Sequence, residues 1–304
     1  MRLLLIVNQH ASTVNARMSK FVEGALRAEH DVEVVATRRR DHATDLAGKG
    51  AADGVDVVVV LGGDGTVNEA ANGLIGTSTA LAAVPGGSTN VFARTLGLSK
   101  DLRQATSQLL SVLRSDSRRR VGVGRVNDRY FLFHVGLGFD AAVVEQVEKR
   151  AALKRHAGQM AFVYCALLTW VIHYDRSGPR MAIRAEDDGE QEAYFAICLK
   201  TNPYTFLGRR RLNLAPEIAP QQGLAVVRFA TMRFAPVICL VASALGSGGW
   251  IQRHPKVGFR ADLDRIEVRA IGAPVPYQVD GEFLGEADRL VITHHPDALE
   301  VMVP

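Results

Sequence analysis

The stretch Leu61-Gly62-Gly63-Asp64-Gly65-Thr66-Val67-Asn68-Glu69 has residue types and spacing that could do chemistry. It comes after the apolar run Val57 to Leu61 and precedes Val67, Ala70, Ala71 and Leu74 at helical spacing. A strand thus enters a helix through glycines, which leave backbone N–H groups uncovered beside the positive end of the helix dipole. Such a turn is a seat for phosphate. Asp64 would repel a phosphate unless a cation lay between them, so it points to Mg²⁺ bridging the phosphates of a nucleotide. The plainer alternative is a tight turn with Thr66 as helix N-cap.

A second stretch repeats the design. Ala82-Ala83-Val84 leads into Pro85-Gly86-Gly87-Ser88-Thr89-Asn90, and Val91-Phe92-Ala93-Arg94-Thr95-Leu96 reads as a short helix closed by Gly97. Ser88 or Asn90 alone would be an ordinary N-cap. Beside the first loop, this one makes a pair able to hold a triphosphate.

These loops need a frame. Strands read at Leu3 to Val7, Val32 to Ala36, Val55 to Leu61 and Leu81 to Val84, alternating with helical patterns such as Met18, Phe21, Val22, Ala25 and Leu26. That alternation predicts a parallel sheet covered by helices, with the unbroken valine run as a central strand. A loop leaving the end of a central strand lies at the carboxyl edge, where open α/β sheets bind ligands. Beyond Arg120 the texture changes. Strands separated by Gly, Pro and Asp turns read within Val121 to Val135 and at Ala193 to Leu199, Leu224 to Ala230, Ile266 to Ala270 and Leu290 to Thr293. Helices interrupt them at Ala141 to Arg150, Gly158 to Tyr174 and Ala235 to Leu245, giving a second, mainly β domain.

Composition agrees with two domains: 304 residues, 47% hydrophobic, and a formal charge of +4 with arginine triplets at 38 to 40, 118 to 120 and 209 to 211. The mild excess of base suits an anionic partner, but the basic residues are scattered and carry no nucleic-acid recognition motif. Cys165, Cys198 and Cys239 stand apart in apolar surroundings, as in a reducing cytosol. Residues 2 to 8 read as a buried first strand rather than a signal peptide. The apolar stretches Met160 to Tyr174 and Phe234 to Leu245 fall short of the roughly 20 residues of a spanning helix, so a soluble or peripheral chain is expected.

The two glycine loops, with Phe92-Ala93-Arg94, Gly136-Leu137-Gly138-Phe139-Asp140 and Asp280-Gly281-Glu282, resemble the diacylglycerol kinase catalytic domain shared by bacterial lipid kinases, sphingosine kinases and ceramide kinases. The resemblance covers nearly the whole chain. It implies a Rossmann-like α/β domain of the NAD-kinase and diacylglycerol-kinase type at residues 1–122, then a β-sandwich lipid-binding domain at 123–304 whose last residues return to the first. It further implies ATP between the glycine loops, lipid between the domains, and transfer of the γ-phosphate to a lipid hydroxyl, diacylglycerol giving phosphatidic acid. Carried over, Gly62, Gly63, Asp64, Gly65, Thr66, Val67 and Asn68 cradle the phosphates. Asn8, Thr37, Ser88 and Asn90 match further nucleotide positions, Asp64 serves Mg²⁺, and Glu282 matches the general base. Read from residues alone, Asp280-Gly281-Glu282 is a hairpin turn.

Three positions depart from the family pattern: Val91 and Gly122 stand where acidic residues are usual, and Gln222-Gly223 stands where some bacterial members have an Asp-Gly pair that helps hold a structural Mg²⁺. On the lipid side, Phe131, Phe133, Val135, Leu137 and Phe139 alternate as in a strand, and Phe162, Tyr164, Leu167, Leu168 and Trp170 form an apolar helix. Either set could line an acyl-chain cleft or be core. Pro203 to Arg211, aromatics beside three arginines, suits docking on an anionic bilayer. The protein is thus expected in the cytoplasm, peripheral to the inner face of the membrane, with no nucleic acid and with pairing of two copies left open. An NAD kinase and a non-catalytic lipid or nucleotide sensor are the rival readings.

Overall fold

The computed structural model describes residues 1–150, 159–186, 188–216, 218, 222–233, 243, 246, 251 and 253–304. The helix expected at Ala235 to Leu245 lies outside them except for Ser243, and Cys239 lies outside them too. The chain forms two compact units, residues 1–121 with 297–304, and residues 122–296.

The first unit runs β1 (Arg2–Val7), α1 (Ala16–Arg27), β2 (Asp31–Ala36), α2 (His42–Ala52), β3 (Val57–Gly62), α3 (Asp64–Leu74), β4 (Ala80–Pro85), α4 (Val91–Thr95) and α5 (Leu102–Ser115). The strands are parallel in the order β2-β1-β3-β4, with Leu5 beside both Val34 and Val59, and Val59 beside Ala82. Residues 297–304 add a further parallel partner, Val301 beside Leu81. Every residue of β3 and β4 is buried, as their lack of alternation predicts for a sheet covered on both faces. Val22 and Leu26 of α1 and Leu109, Val112 and Leu113 of α5 pack on one face against Leu3, Leu5, Val57 and Val59. Asn15 and Asp101 cap these two helices by accepting the N–H groups of Met18 and Gln104 at 2.9 and 3.0 Å. On α3, a Cβ at Gly73 would stand 2.3 Å from the Thr44 carbonyl, so that glycine lets α2 and α3 touch.

The second unit starts within β5 (Arg118–Val126), which forms a hairpin with β6 (Arg129–Phe131), followed by β7 (His134–Leu137), α6 (Phe139–Lys149), α7 (Gln159–Leu168) and a π-helical turn, Thr169–His173. Then come β8 (Met181–Ala185), β9 (Gln191–Ala193), β10 (Phe195–Leu199), β11 (Thr205–Leu207), β12 (Arg210–Leu212), β13 (Leu224–Phe229), β14 (Val257–Leu263), β15 (Arg265–Ala270), β16 (Val275–Val279), β17 (Glu282–Ala287) and β18 (Arg289–Met302). One antiparallel sheet has the order β14-β13-β10-β7-β16-β17; against it lies a second layer in which β15 joins β8 and residues 289–293 of β18. Their shared core takes Val135 and Leu137, Ala196 and Cys198, and Val275 and Val279 from the first sheet, and Met181, Ile183, Ile266 and Leu290 from the second layer. The period of two shows in β10, where the intervening Phe195, Ile197 and Leu199 serve a core on the other face.

The alternating run from Phe131 to Phe139 is not one strand. It crosses the end of β6, all of β7 and the start of α6, and Phe131, Phe133, Val135 and Leu137 are fully buried, which makes them core rather than an acyl-chain lining.

Candidate functional site

In the first unit, the register sets Val7 beside Ala36 and Leu61, and Gly62 beside Pro85, so the carboxyl ends of four strands are level. Asn8, Thr37, Gly63 and Gly86 therefore share one sheet edge. There the Thr37 N–H donates to the Val7 carbonyl at 2.9 Å. Asn8 donates through its side-chain amide to Thr66 Oγ1 at 2.8 Å, tying the end of β1 to the first turn of α3. Thr66 is consequently not the N-cap. Gly63 is, in an extended conformation, and it has no side chain to cap the helix. The amino end of α3 is left with backbone N–H groups and no side-chain acceptor from its own cap, the arrangement that receives a phosphate. Nothing lies within 4 Å of a Cβ built at Gly65, so this turn is open on that side. Val67 and Asn68, further along the helix, are buried and shape its body rather than its tip.

The glycines of the second loop serve a purpose the sequence did not disclose. The Gly86 N–H donates to the Gly62 carbonyl at 2.8 Å, and a Cβ on Gly86 would stand 3.0 Å from Gly62 Cα. A Cβ on Gly87 would stand 2.8 Å from Gly63 Cα. The two loops thus meet backbone to backbone, and any side chain at these positions would part them. Asn90, in the left-handed region at φ 50°, accepts from the Gly87 N–H and donates to the Gly87 carbonyl, both at 2.7 Å. It occupies the N-cap position of α4 but spends its side chain bracing the loop. Ser88 stands exposed at the loop tip.

Asp64 joins the loops. Its Oδ1 accepts the Phe92 N–H at 3.1 Å, and its Oδ2 accepts the Thr89 hydroxyl at a long 3.4 Å. An ionised carboxylate offers two oxygens with about four acceptor sites. Among the described residues no group of three or more His, Cys, Asp or Glu is placed to hold a metal ion, so Asp64 could serve a cation only together with ligands from outside the protein. Val91, where an acid is usual, is buried. Glu69 caps a neighbour: its Oε2 accepts the Ala43 N–H in the first turn of α2 at 3.2 Å.

Glu282 lies in the second unit. Asp280 and Gly281 form the two-residue loop between β16 and β17, with φ of 49° and 82°, and Val279 pairs with Glu282 across it. Asp280 is buried and its carboxylate accepts three consecutive backbone N–H groups, from Leu132 at 2.7 Å and from Phe133 and His134 at 3.0 Å. Glu282, beside this fixed turn, pairs with the Arg129 guanidinium at 3.5 Å. Sequence reasoning read Asp280 only as part of a hairpin turn and did not single out Arg129.

The other two departures from the family pattern meet at Lys200. This lysine is fully buried, donates to the Gln222 carbonyl at 2.8 Å, and is lowered by burial to about 8. A Cβ at Gly122 would stand 3.1 Å from Lys200 Cε and 2.7 Å from His294 Nε2, so an acidic side chain there would have to displace the ends of both. An ammonium group already at the Gln222 carbonyl would repel a divalent ion, and the residues do not fit a structural Mg²⁺.

Around Gly136 and Asp140 lies a further polar cluster. Asp140 accepts from the Tyr204 hydroxyl and, at 2.7 Å, from the Gln278 amide; burial raises its carboxyl. The His134 ring lies 4.5 Å from that of Tyr204, and burial lowers its imidazole to about 3. Because the unfolded chain takes up this proton near pH 6.5 and the folded chain does not, His134 withdraws stability as pH falls from 6.5 toward 3. The loss is about 2 kcal/mol at pH 5, and the raised Asp140 acts in the opposite sense. Melting curves at pH 7 and pH 5 should show His134→Phe losing less stability than the wild type; identical losses would refute this account.

In the segment Pro203 to Arg211, expected to dock on a bilayer, the arginines are exposed but the aromatics are not free. The segment is a hairpin of β11 and β12 in which Phe206 is buried and Tyr204 points to Asp140, leaving Leu207 as its exposed large apolar residue among those described. No helix of the described residues is long and apolar enough to cross a membrane.

Comparison with known proteins bears on residues 2–126, which match the model of the diacylglycerol kinase catalytic domain. A Staphylococcus aureus protein named "Putative lipid kinase" is 29% identical over 187 residues, 60% of this chain and 56% of that one. This chain thus spans little more than half the length of that curated relative. Among solved structures, a "putative diacylglycerol kinase" from Bacillus anthracis shares the fold with a TM-score of 0.76, at 21% identity over 100% of this chain and 95% of that chain. Yeast NADH kinase, complexed with NADH, shares it more distantly, with a TM-score of 0.54, 11% identity and coverage of 100% and 84%. At these identities the two structures speak for the fold alone. The paired glycine loops with Asp64 between them fall within residues 2–126, the part of the chain that matches the diacylglycerol kinase catalytic domain.

Proposed function

We propose that the protein is an ATP-dependent lipid kinase that transfers the γ-phosphate to a lipid hydroxyl, with diacylglycerol as acceptor and phosphatidic acid as product. The observation that carries this reading is the pair of backbone-packed glycine loops at the sheet's carboxyl edge, within the residues that match the catalytic-domain family. The amino end of α3 presents N–H groups to the phosphates, and Gly86 and Gly87 keep the second loop close enough to share them. Mg²⁺ held by Asp64 and the phosphates would neutralise charge during transfer. Glu282, oriented by Arg129, takes the proton of the acceptor hydroxyl as its oxygen bonds to the γ-phosphorus and the bond to the β-phosphate oxygen breaks. Such an enzyme works in the cytoplasm at the inner face of the membrane, where its acceptor is.

The yeast NADH kinase fold gives one rival acceptor a definite form. Labelled γ-phosphate should pass from ATP to diacylglycerol in mixed micelles and not to NAD. Labelling of another lipid would change the acceptor but keep the reaction. Labelling of NAD alone would replace the lipid reading, and lipid binding without any labelling would favour a sensor.

A further inference from the structure

α7 and the π-helical turn after it carry no charged side chain from Met160 to Ile172. A helix apolar on all sides is normally buried on all sides. Here one side is covered: Ala161, Cys165 and Thr169 recur every fourth residue and are buried, Cys165 packs against Val143 and Val147 of α6, and Phe162 and Ala166 pack partly buried beside them. Among the described residues the opposite face is exposed, with Met160 at 63%, Tyr164 and Leu167 at 53%, Val171 at 62% and Ile172 at 65% exposure. With Val163 these make six of the eight exposed large hydrophobics among the described residues. Such a concentration marks a surface that something covers. The expectation that this helix would be core therefore fails for its outer face.

The ground beside the stripe tells what the cover is. Trp170 and Tyr174, from the same turn, line a cleft of about 880 Å³ together with Arg176, Arg233 and Lys256. The Arg176 guanidinium lies 4.0 Å from the centre of the Trp170 ring. One carboxylate, Asp175, also lines the cleft, and it is bonded to Arg180 at 2.9 Å. Aromatic rings between an apolar stripe and a group of cations match the order of a bilayer surface: acyl chains, interface, anionic headgroups. A second copy of the chain is a poorer cover, because a two-fold contact through this face would bring like cations together.

We propose that the outer face of α7 and its π-helical turn, with the Arg176, Arg233 and Lys256 cleft beside it, is a docking surface for an anionic lipid bilayer. The helix lies in the plane of the interface, since fifteen residues from Gln159 to His173 are too few to cross it. This deepens the lipid-kinase reading by naming the surface that meets the membrane, but its test needs neither ATP nor acceptor.

Co-sedimentation with vesicles of phosphatidylglycerol and phosphatidylcholine in equal parts, and of phosphatidylcholine alone, provides that test. The wild type should bind the mixed vesicles at least about 10-fold better than the neutral ones, with the preference weakening as salt rises. Leu167→Glu with Val171→Glu, both at exposed positions, should lower binding to mixed vesicles on the order of 10-fold or more. A triple variant of Arg176→Ser, Arg233→Ser and Lys256→Ser should lose the anionic preference while its circular dichroism stays as wild type. Undiminished binding by the glutamate variant would overturn the proposal. So would a wild-type dimer in gel filtration that the same variant dissociates, because the face would then be a self-association surface. Failed phosphate transfer with vesicle binding intact would count against the kinase reading and leave this surface standing.

Discussion

Asp64→Ala is expected to lower phosphate transfer by about 10²-fold to 10³-fold, the scale for loss of one preorganised electrostatic group, and to destabilise the first unit as well. The second effect arises at the Phe92 N–H, which loses the Oδ1 acceptor it meets at 3.1 Å. A part-buried donor stripped of its partner costs about 1–3 kcal/mol. Asp64→Asn separates the two roles. Its amide oxygen can still accept from Phe92, so stability should stay within about 1 kcal/mol of wild type. Its lost charge can no longer help hold a cation, so transfer should fall nearly as far as in the alanine variant. Thermal melting and labelled-phosphate transfer read the two effects independently. An Asn variant with wild-type turnover would mean that Asp64 serves only to join the loops.

The largest stability effect is expected at Asp280, a residue that does no chemistry itself. Asp280→Ala removes the carboxylate that accepts the N–H groups of Leu132, Phe133 and His134, all buried. With charge-assisted bonds at about 1.5–3 kcal/mol each and incomplete additivity, a loss of roughly 4 kcal/mol or more is expected. Asp280→Asn keeps a residue that tolerates the left-handed turn, but its NH₂ group would face the Leu132 N–H, so it should fall between alanine and wild type. The contrast is Glu282→Gln, beside it on β17. That change should cost less than about 1 kcal/mol because the Arg129 contact is long. It should nonetheless lower transfer by about 10²-fold to 10⁴-fold if Glu282 is the base. Urea unfolding of both variants, with transfer assays at a temperature where each is folded, tests the division. Equal unfolding midpoints for Asp280→Ala and wild type would show that the carboxylate does not brace the turn.

Much of this was legible before any coordinates. Unbroken valines in β3, glycines directly after them and apolar residues at helical spacing in α3 are local signals, and local signals survive in a linear text. They determined a parallel sheet with glycine loops gathered at its carboxyl edge. Asp280-Gly281 likewise announced a hairpin, because a turn with two left-handed residues selects such a pair whatever surrounds it.

What the tertiary structure decided depended on partners distant in the chain. Thr66, a helix cap in the plainer of two readings, is instead the acceptor for Asn8, 58 residues earlier. Gly86 and Gly87 read as a second phosphate-holding turn, yet neither has a positive φ; they are glycine because Gly62 and Gly63 lie against them. Gly122 and Gln222 looked like unrelated losses of an acidic network, and both adjoin the buried Lys200. The apolar stretch from Met160 to Ile172 showed its hydrophobicity but not which side was covered, since periodicity vanishes when every face is apolar. Sequence by itself determined the parallel strands of the first unit and the edge at which their loops gather. Which backbones touch, which charges are enclosed and which apolar face is left to solvent were decided only by folding, because each depends on distances between residues that the chain order keeps far apart.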